Sequence, residues 1–239
     1  VNIDYAPVTI NRYINVMKKL QKAIPDFYGK EDITFHELNS DFIATFDLFL
    51  KTEAGLCRNT IVRYMKCFKR ITNMALAKEW MRKDPFYGYK MAQDETDPVF
   101  LTYPELKSIM EKEFTIPRLA LVRDIFVFAA FTGLAFANVS TLTKDNLVQD
   151  NNGDWWIRKG RVKLERRHRA SSVCNIPLLP VPLAILKKYE EHPICRKKSL
   201  CLPVICNQRM NSYLKEIADL CNIRKNLTTH TAKHSKIYI

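Results

Sequence analysis

The chain has 239 residues but only 6 glycines, and none of them sits in a G-x-x-x-x-G-K-[ST] or G-x-G-x-x-G loop. Loops of that kind let backbone amides cradle phosphates, so no nucleotide-binding site of those classes is signalled. Neither a G-x-S-x-G turn nor an H-E-x-x-H helix is present, which weakens hydrolase and metalloprotease readings. The longest apolar run, Ile125 to Phe131, falls far short of the ~20 residues that span a bilayer. Val1 to Ile14 holds no basic stretch followed by an apolar core, so no secretory signal is expected. The 7 cysteines are an odd count without a C-x-x-C pair, which argues against a closed disulfide framework and a thioredoxin-type site. His192, Cys195, Cys201 and Cys206 are close in sequence, but their spacing does not match zinc-ligand pairs. Reduced thiols are the expected state. No metal and no other cofactor is expected.

Acidic side chains are also scarce, at 25 against 38 basic ones, for a net charge of +13. An excess of this size favours a polyanionic partner, and nucleic acid is the commonest. Hydrophobic residues at 47% and aromatics at 11% are enough for a packed core, so a disordered basic tail is excluded.

The chain divides near residues 93–99, where Gln93-Asp94-Glu95-Thr96-Asp97-Pro98 is a polar linker. Two domains are expected, 1–95 and 96–239. In the first, Ile10, Tyr13, Ile14, Met17 and Leu20 recur at helical spacing. Asn39 is placed to cap a second helix, with Phe42, Ile43, Phe46, Phe49 and Leu50 on one stripe. A third helical block runs from Arg58 to about Trp80, and the whole is expected to be a bundle of about four helices. In that third block Ile61, Tyr64, Met65, Phe68, Thr72 and Ala75 form the apolar stripe. Arg63, Lys66 and Arg70 gather on the opposite face, and Glu79 is the single acid between Arg58 and Trp80. Asn59 and Thr60 stand at the helix start, where short polar side chains meet phosphate oxygens. Asn59, Thr60, Arg63, Lys66 and Arg70 are therefore the candidate DNA-binding residues.

The second part is mainly helical with a small sheet. Thr102 and Glu105 form a capping box with Pro104 in the first turn, opening a helix expected to reach about Phe114. A further helix is expected from Pro117 to Thr132, stopped by Gly133. Strand-like text covers Trp155 to Val162 and Ser172 to Ile176. Pro177, Pro180 and Pro182 lead into a helix from Leu183 to Tyr189, and Asn207 is expected to cap a helix through Cys221. A basic run, Arg158-Lys159-Gly160-Arg161-Val162-Lys163, continues to Arg166, Arg167 and Arg169. Thr228-Thr229-His230-Thr231-Ala232-Lys233-His234 places two imidazoles and an ammonium on one helical turn. Cations around a phosphate, with His and Lys to move protons, suit phosphoryl transfer.

Several of these segments, in this order, resemble the tyrosine recombinases of the phage integrase type, particularly those of integrated elements in the Bacteroides group. Phe131-Thr132-Gly133-Leu134-Ala135-Phe136-Ala137-Asn138-Val139 is similar to the family's T-G-L-R box. Asn175-Ile176-Pro177-Leu178-Leu179-Pro180 resembles the segment after its catalytic hairpin, and Asn207 to Asn211 with Leu227 to His234 resembles the run into its H-x-x-R box. Upstream, Asn59-Thr60 and Asp84-Pro85-Phe86 look like the SAM-like core-binding domain. The resemblance covers nearly the whole chain. It implies a helical core-binding domain followed by an α+β catalytic domain, a DNA partner at attachment sites, a homotetramer on DNA, and a cytoplasmic, nucleoid-associated location with no membrane involvement.

The resemblance also implies roles. Lys163 would protonate the leaving 5′ oxygen, and His230 would assist proton transfer from a tyrosine nucleophile. Ala135 stands where the family has its first arginine, and Arg161, two residues before Lys163, is the candidate replacement. Lys233 replaces the second arginine, keeping the charge without the bidentate fork. Tyr238 lies only five residues beyond Lys233, closer than the family's nucleophile. Either the nucleophile segment is lacking, or residues are missing before Lys236 and Tyr238 is the nucleophile. The catalytic domain is accordingly expected to be incomplete at its C-terminal end. Site-specific recombination through a 3′-phosphotyrosyl intermediate is the expected function, with a catalytically impaired, recombinase-like DNA-binding protein as the alternative.

Overall fold

The computed structural model describes residues 7–160 and 173–235. The chain folds as two compact units, Val1–Thr96 and Asp97–Ile239.

The first unit contains three helices among the described residues, not four: α1 (Pro7–Tyr28), α2 (Ser40–Lys51) and α3 (Arg58–Ala77). Asn39 caps α2 as expected, its side chain accepting from the Phe42 amide at 3.0 Å. Phe42, Ile43, Phe46, Phe49 and Leu50 all face inward and meet Ile61, Met65 and Phe68 of α3. The aromatic rings engage edge to face, as between Phe46 and Phe68 with centroids 5.7 Å apart. On α1 the buried positions are Val16, Ala23 and Ile24, whereas Ile14 and Met17 are exposed. Tyr13 and Leu20 of the expected stripe pack against the core, and α1 lies on both α2 and α3.

The second unit is organised around α5 (Pro117–Thr132), which is buried on nearly every side. Against it pack α4 (Tyr103–Glu111), α7 (Pro180–Tyr189), α9 (Asn207–Leu220) and α10 (Thr229–His234). Short helices α6 (Phe136–Val139) and α8 (Pro193–Lys198) and a 3-10 turn at Lys144–Asn146 complete the helical set among the described residues. The Thr102–Glu105 capping box is present. The helix it opens stops at Glu111 instead of Phe114, since Lys112 is already extended. Pro117 then occupies the first position of α5, which keeps Ile116 extended as well. Gly133 ends α5 in the left-handed region at φ 65°. Pro180 and Pro182 lie inside the first turn of α7 rather than ahead of it, where the missing amide costs no helical bond.

A three-stranded antiparallel sheet runs in the order β1 (Leu147–Gln149), β2 (Trp155–Gly160), β3 (Val173–Pro177). Ile157 pairs with Ile176 and is fully buried, anchoring the sheet on the helical core. Strand β1 is too short to show a period in the sequence. Among the described residues no helix is long and apolar enough to cross a membrane.

Candidate functional site

In the second unit the candidates His230 and Lys233 lie on α10, a six-residue helix too short to persist by itself. Its first turn is held locally, with the Thr228 hydroxyl accepting from the Thr231 amide and Thr231 Oγ1 accepting from the Thr228 amide. It is also held from outside. Thr229 donates its amide to Asn211 Oδ1 at 2.9 Å and its hydroxyl to Asn207 Oδ1 at 2.8 Å. Asn207 is therefore not the cap of α9; Cys206 holds that position, and the Asn207 side chain is committed to α10. Just beyond α10, Ser235 is buried, donates to the Thr231 carbonyl and accepts from the Leu101 amide at 2.7 Å. Thr231 and Ala232 point inward, leaving His230, Lys233 and His234 exposed on one surface.

The two imidazoles are in contact. His230 Nε2 and His234 Nε2 lie 3.0 Å apart, and the rings meet edge to face with centroids 4.4 Å apart. His234 was not among the expected catalytic residues, although its i+4 spacing from His230 on a helical turn was the available signal.

The Phe131–Val139 segment lies alongside. Thr132 returns its hydroxyl to the Phe128 carbonyl at 2.8 Å, Leu134 is buried, and Ala135 is the N-cap of α6. The Ala135 carbonyl accepts from Asn138 and Val139, while its methyl group offers no donor. Phe136 and Val139 share a small void with Thr229 and Ala232, so this box and α10 adjoin. Lys159 on β2 donates to the Thr141 carbonyl at 2.6 Å and to Asn146 Oδ1 at 3.0 Å. Arg161, Lys163 and Tyr238 lie outside the described residues.

In the first unit Arg63, Lys66 and Arg70 are exposed on the face of α3 opposite its buried stripe. Asn59 makes two hydrogen bonds within its own unit. Its Nδ2 donates to the Asp94 carbonyl at 3.1 Å, and its Oδ1 accepts from the Asp94 amide at 2.9 Å. The same segment is held by Arg58, which donates to the Ala92 carbonyl, and by Lys66, which donates to Gln93 Oε1 at 3.1 Å. Asn59 is thus spent on backbone of its own unit, a partner 35 residues away that helical spacing does not show. Thr60 Oγ1 lies 3.2 Å from Cys57 Sγ.

His192 Nδ1 accepts from the Ile194 amide at the start of α8, and Cys195 and Cys201 are buried. Burial pushes the Cys201 thiol up to about 11. Among the described residues no group of His, Cys, Asp or Glu is arranged to hold a metal ion.

Residues 4–91 match the family model described as the phage integrase SAM-like domain. No curated protein matches the chain. Solved structures do. A lambda integrase dimer bound to a COC′ core site superposes with a TM-score of 0.74 at 12% identity, covering 97% of this chain and 79% of that one. The Tn1549 transposon integrase in complex with circular intermediate DNA gives 0.72 at 17% identity, covering 97% and 80%. The XerH site-specific recombinase bound to palindromic difH substrate gives 0.69 at 16% identity, covering 95% and 67%. The chain shares the fold of these solved integrases and recombinase, and residues 4–91 match the model of the SAM-like domain.

Proposed function

We propose that this chain is a site-specific DNA recombinase of the tyrosine class, of the kind carried by integrating elements. The observation that supports this most directly is α10. Within a recombinase fold, a short helix is pinned at both ends so that His230, Lys233 and His234 present protons and positive charge on one surface. In the proposed reaction a tyrosine hydroxyl attacks a DNA phosphodiester. The Tyr–O–P bond forms, the bond to the 5′ oxygen breaks, and Lys163 supplies the proton that oxygen needs. His230 assists removal of the tyrosine proton, and Lys233 with Arg161 places charge on the equatorial oxygens. The released 5′-hydroxyl of one duplex then attacks the phosphotyrosyl link of another, so the bond energy is retained through the exchange. Arg63, Lys66 and Arg70 supply phosphate contacts from the SAM-like domain. Four copies on two duplex sites would allow paired exchange; a lambda integrase tetramer has been solved on a Holliday junction.

A second reading is favoured by Ala135 and Lys233. The first offers a methyl group in place of a guanidinium, and the second replaces a two-pronged donor by a single ammonium. Loss of one transition-state clamp typically slows a reaction by ~10²–10³, so a DNA-binding protein of reduced activity is the alternative.

The experiment is incubation with a duplex half-site from the element's own ends, followed by denaturing electrophoresis. A covalent protein–DNA band that is lost in Tyr238→Phe supports the recombinase. Salt-sensitive duplex binding without any such band supports the second reading, and absence of duplex binding overturns both.

A further inference from the structure

The SAM-like domain carries an aromatic and basic surface that the duplex-binding face on α3 does not use. An open groove of about 760 Å³ is lined by Phe35, His36, Arg82, Lys83 and Tyr87. Beside it Phe35 stacks on Trp80, with ring centroids 5.9 Å apart and planes inclined by 30°. Lys78 lies over the Trp80 ring at 4.7 Å. Tyr87 is 89% exposed and Trp80 56%, so neither ring is there to fill the core. Large aromatics left in water on one side of a domain are unusual and mark interaction surfaces.

The backbone is built to present these rings. Glu79 ends α3 at φ 59°, a left-handed conformation unfavourable for a residue with a Cβ. That turn is closed by the Trp80 amide donating to the Ala75 carbonyl at 2.9 Å, which directs Trp80 back toward Phe35. Tyr87 is displayed by a second fixed turn. Asp84 accepts the Phe86 amide on Oδ1 and the Tyr87 amide on its carbonyl, and Phe86 plugs into the core against Phe68. With Phe86 held inward, Tyr87 is held outward.

The lining of the groove carries more positive than negative charge, Arg82 and Lys83 against Asp84. Arg82 and Lys83 are exposed and form no ion pair among the described residues. Asp84, the one acid that lines the groove, lies 3.8 Å from Lys69, and Glu37 near it is paired with Lys30. Fixed aromatic faces among unpaired cations suit a nucleic acid whose base faces are available. Duplex DNA hides those faces in its stack; an unpaired strand exposes them.

We propose that the Phe35, Trp80 and Tyr87 surface, with Lys78, Arg82 and Lys83, binds unpaired nucleotides of single-stranded DNA. This rests on the DNA-recombinase reading for its biological setting and adds to it a second site with a different ligand. The α3 face takes the duplex backbone, and this surface takes strand that has left the duplex.

The test measures the anisotropy of fluorescein-labelled (dT)10 with the full chain and, in parallel, retardation of an unlabelled duplex. Removing one stacking ring by Tyr87→Ala is expected to weaken (dT)10 binding about tenfold, with duplex affinity unchanged. Tyr87 is almost wholly exposed, so its loss does not disturb the core; Arg82→Ala with Lys83→Ala is the companion variant. Duplex binding without (dT)10 binding, or (dT)10 binding indifferent to both variants, overturns the proposal and leaves the recombinase reading intact. A polyglutamate peptide competing as well as (dT)10 also overturns it, since charge alone or an acidic protein partner would then account for the surface. Tyr87-dependent (dT)10 binding without duplex binding upholds it and removes the recombinase reading instead.

Discussion

His230 and His234 touch through their Nε2 atoms at 3.0 Å on successive turns of the same helix. One imidazole nitrogen must donate and the other accept, so the contact sets the tautomers of the two rings relative to each other. We expect His234 to act as a positioning residue for His230. His234→Ala should slow covalent adduct formation by about tenfold, the worth of one hydrogen bond. His234→Gln, which keeps a donor and an acceptor, should restore much of it. Equal rates in all three proteins would remove the positioning role.

Replacing Arg63, Lys66 and Arg70 together by Glu should weaken duplex binding. It should also lower the dependence of affinity on salt, by about 0.9 in the logarithmic slope for each phosphate that is no longer neutralised. Binding measured across a salt series checks both effects. An unchanged slope would mean that this face of α3 is only solvated.

Asn59 holds the Asp94 backbone in both directions. Asn59→Ala should therefore raise the hydrogen-exchange rate of the Asp94 amide, because that amide loses its acceptor. The stability cost should be about 0.5–1 kcal/mol, at the low end for hydrogen bonds because the site is exposed. Exchange followed by NMR at that amide is the measurement.

Glu105 gives a pH prediction. Burial alone would raise its pKa, but the Lys225 ammonium at 2.6 Å and the Thr102 amide and hydroxyl outweigh it and hold the carboxyl below its ordinary value of 4.5. A carboxylate with a lowered folded-state pKa contributes stability above its unfolded pKa and loses it as pH falls through the folded one. Melting temperature should therefore drop more steeply below about pH 4.5 in the wild type than in Glu105→Gln. Parallel curves would show that the Lys225 ion pair does not survive in solution.

Asp124 is buried in the second unit and accepts from Arg123 Nε, Lys188 Nζ at 2.7 Å and Tyr189 Oη at 2.8 Å. Burial first, and then the bond to Asp124 and its charge, push the Tyr189 phenol above its ordinary pKa. Asp124→Ala should destabilise the unit by about 3 kcal/mol, the low end for breaking a buried pair because Lys188 is half exposed. Asp124→Asn should cost less, since an acceptor remains. Denaturant unfolding of the two variants tests the order.

Local signals were enough for the helices whose determinants lie within one or two turns. Asn39 and Phe42, Thr102 and Glu105, and the stop at Gly133 are all of this kind. Capping and periodicity act over three or four residues, so they are readable without knowing what lies across the fold. The buried stripe of α3 and the exposure of Arg63, Lys66 and Arg70 were legible for the same reason. The order of the boxes around Gly133, Asn175, Asn207 and His230 pointed to the recombinase fold.

Tertiary structure decided where polar side chains spend their hydrogen bonds. Asn207 has the local setting of a cap and instead orients Thr229, 22 residues on. Asn59, at the start of α3, grips the Asp94 backbone, 35 residues on. Ser235 carries no local signal and ties α10 to Leu101, 134 residues earlier. On α1, packing against α2 and α3 buries Val16, Ala23 and Ile24 and leaves Ile14 and Met17 exposed. A side-chain amide or hydroxyl is satisfied equally well by any partner of the right geometry. Its choice follows from which segments the core brings together, and that burial is a property of the whole unit rather than of any local run of residues.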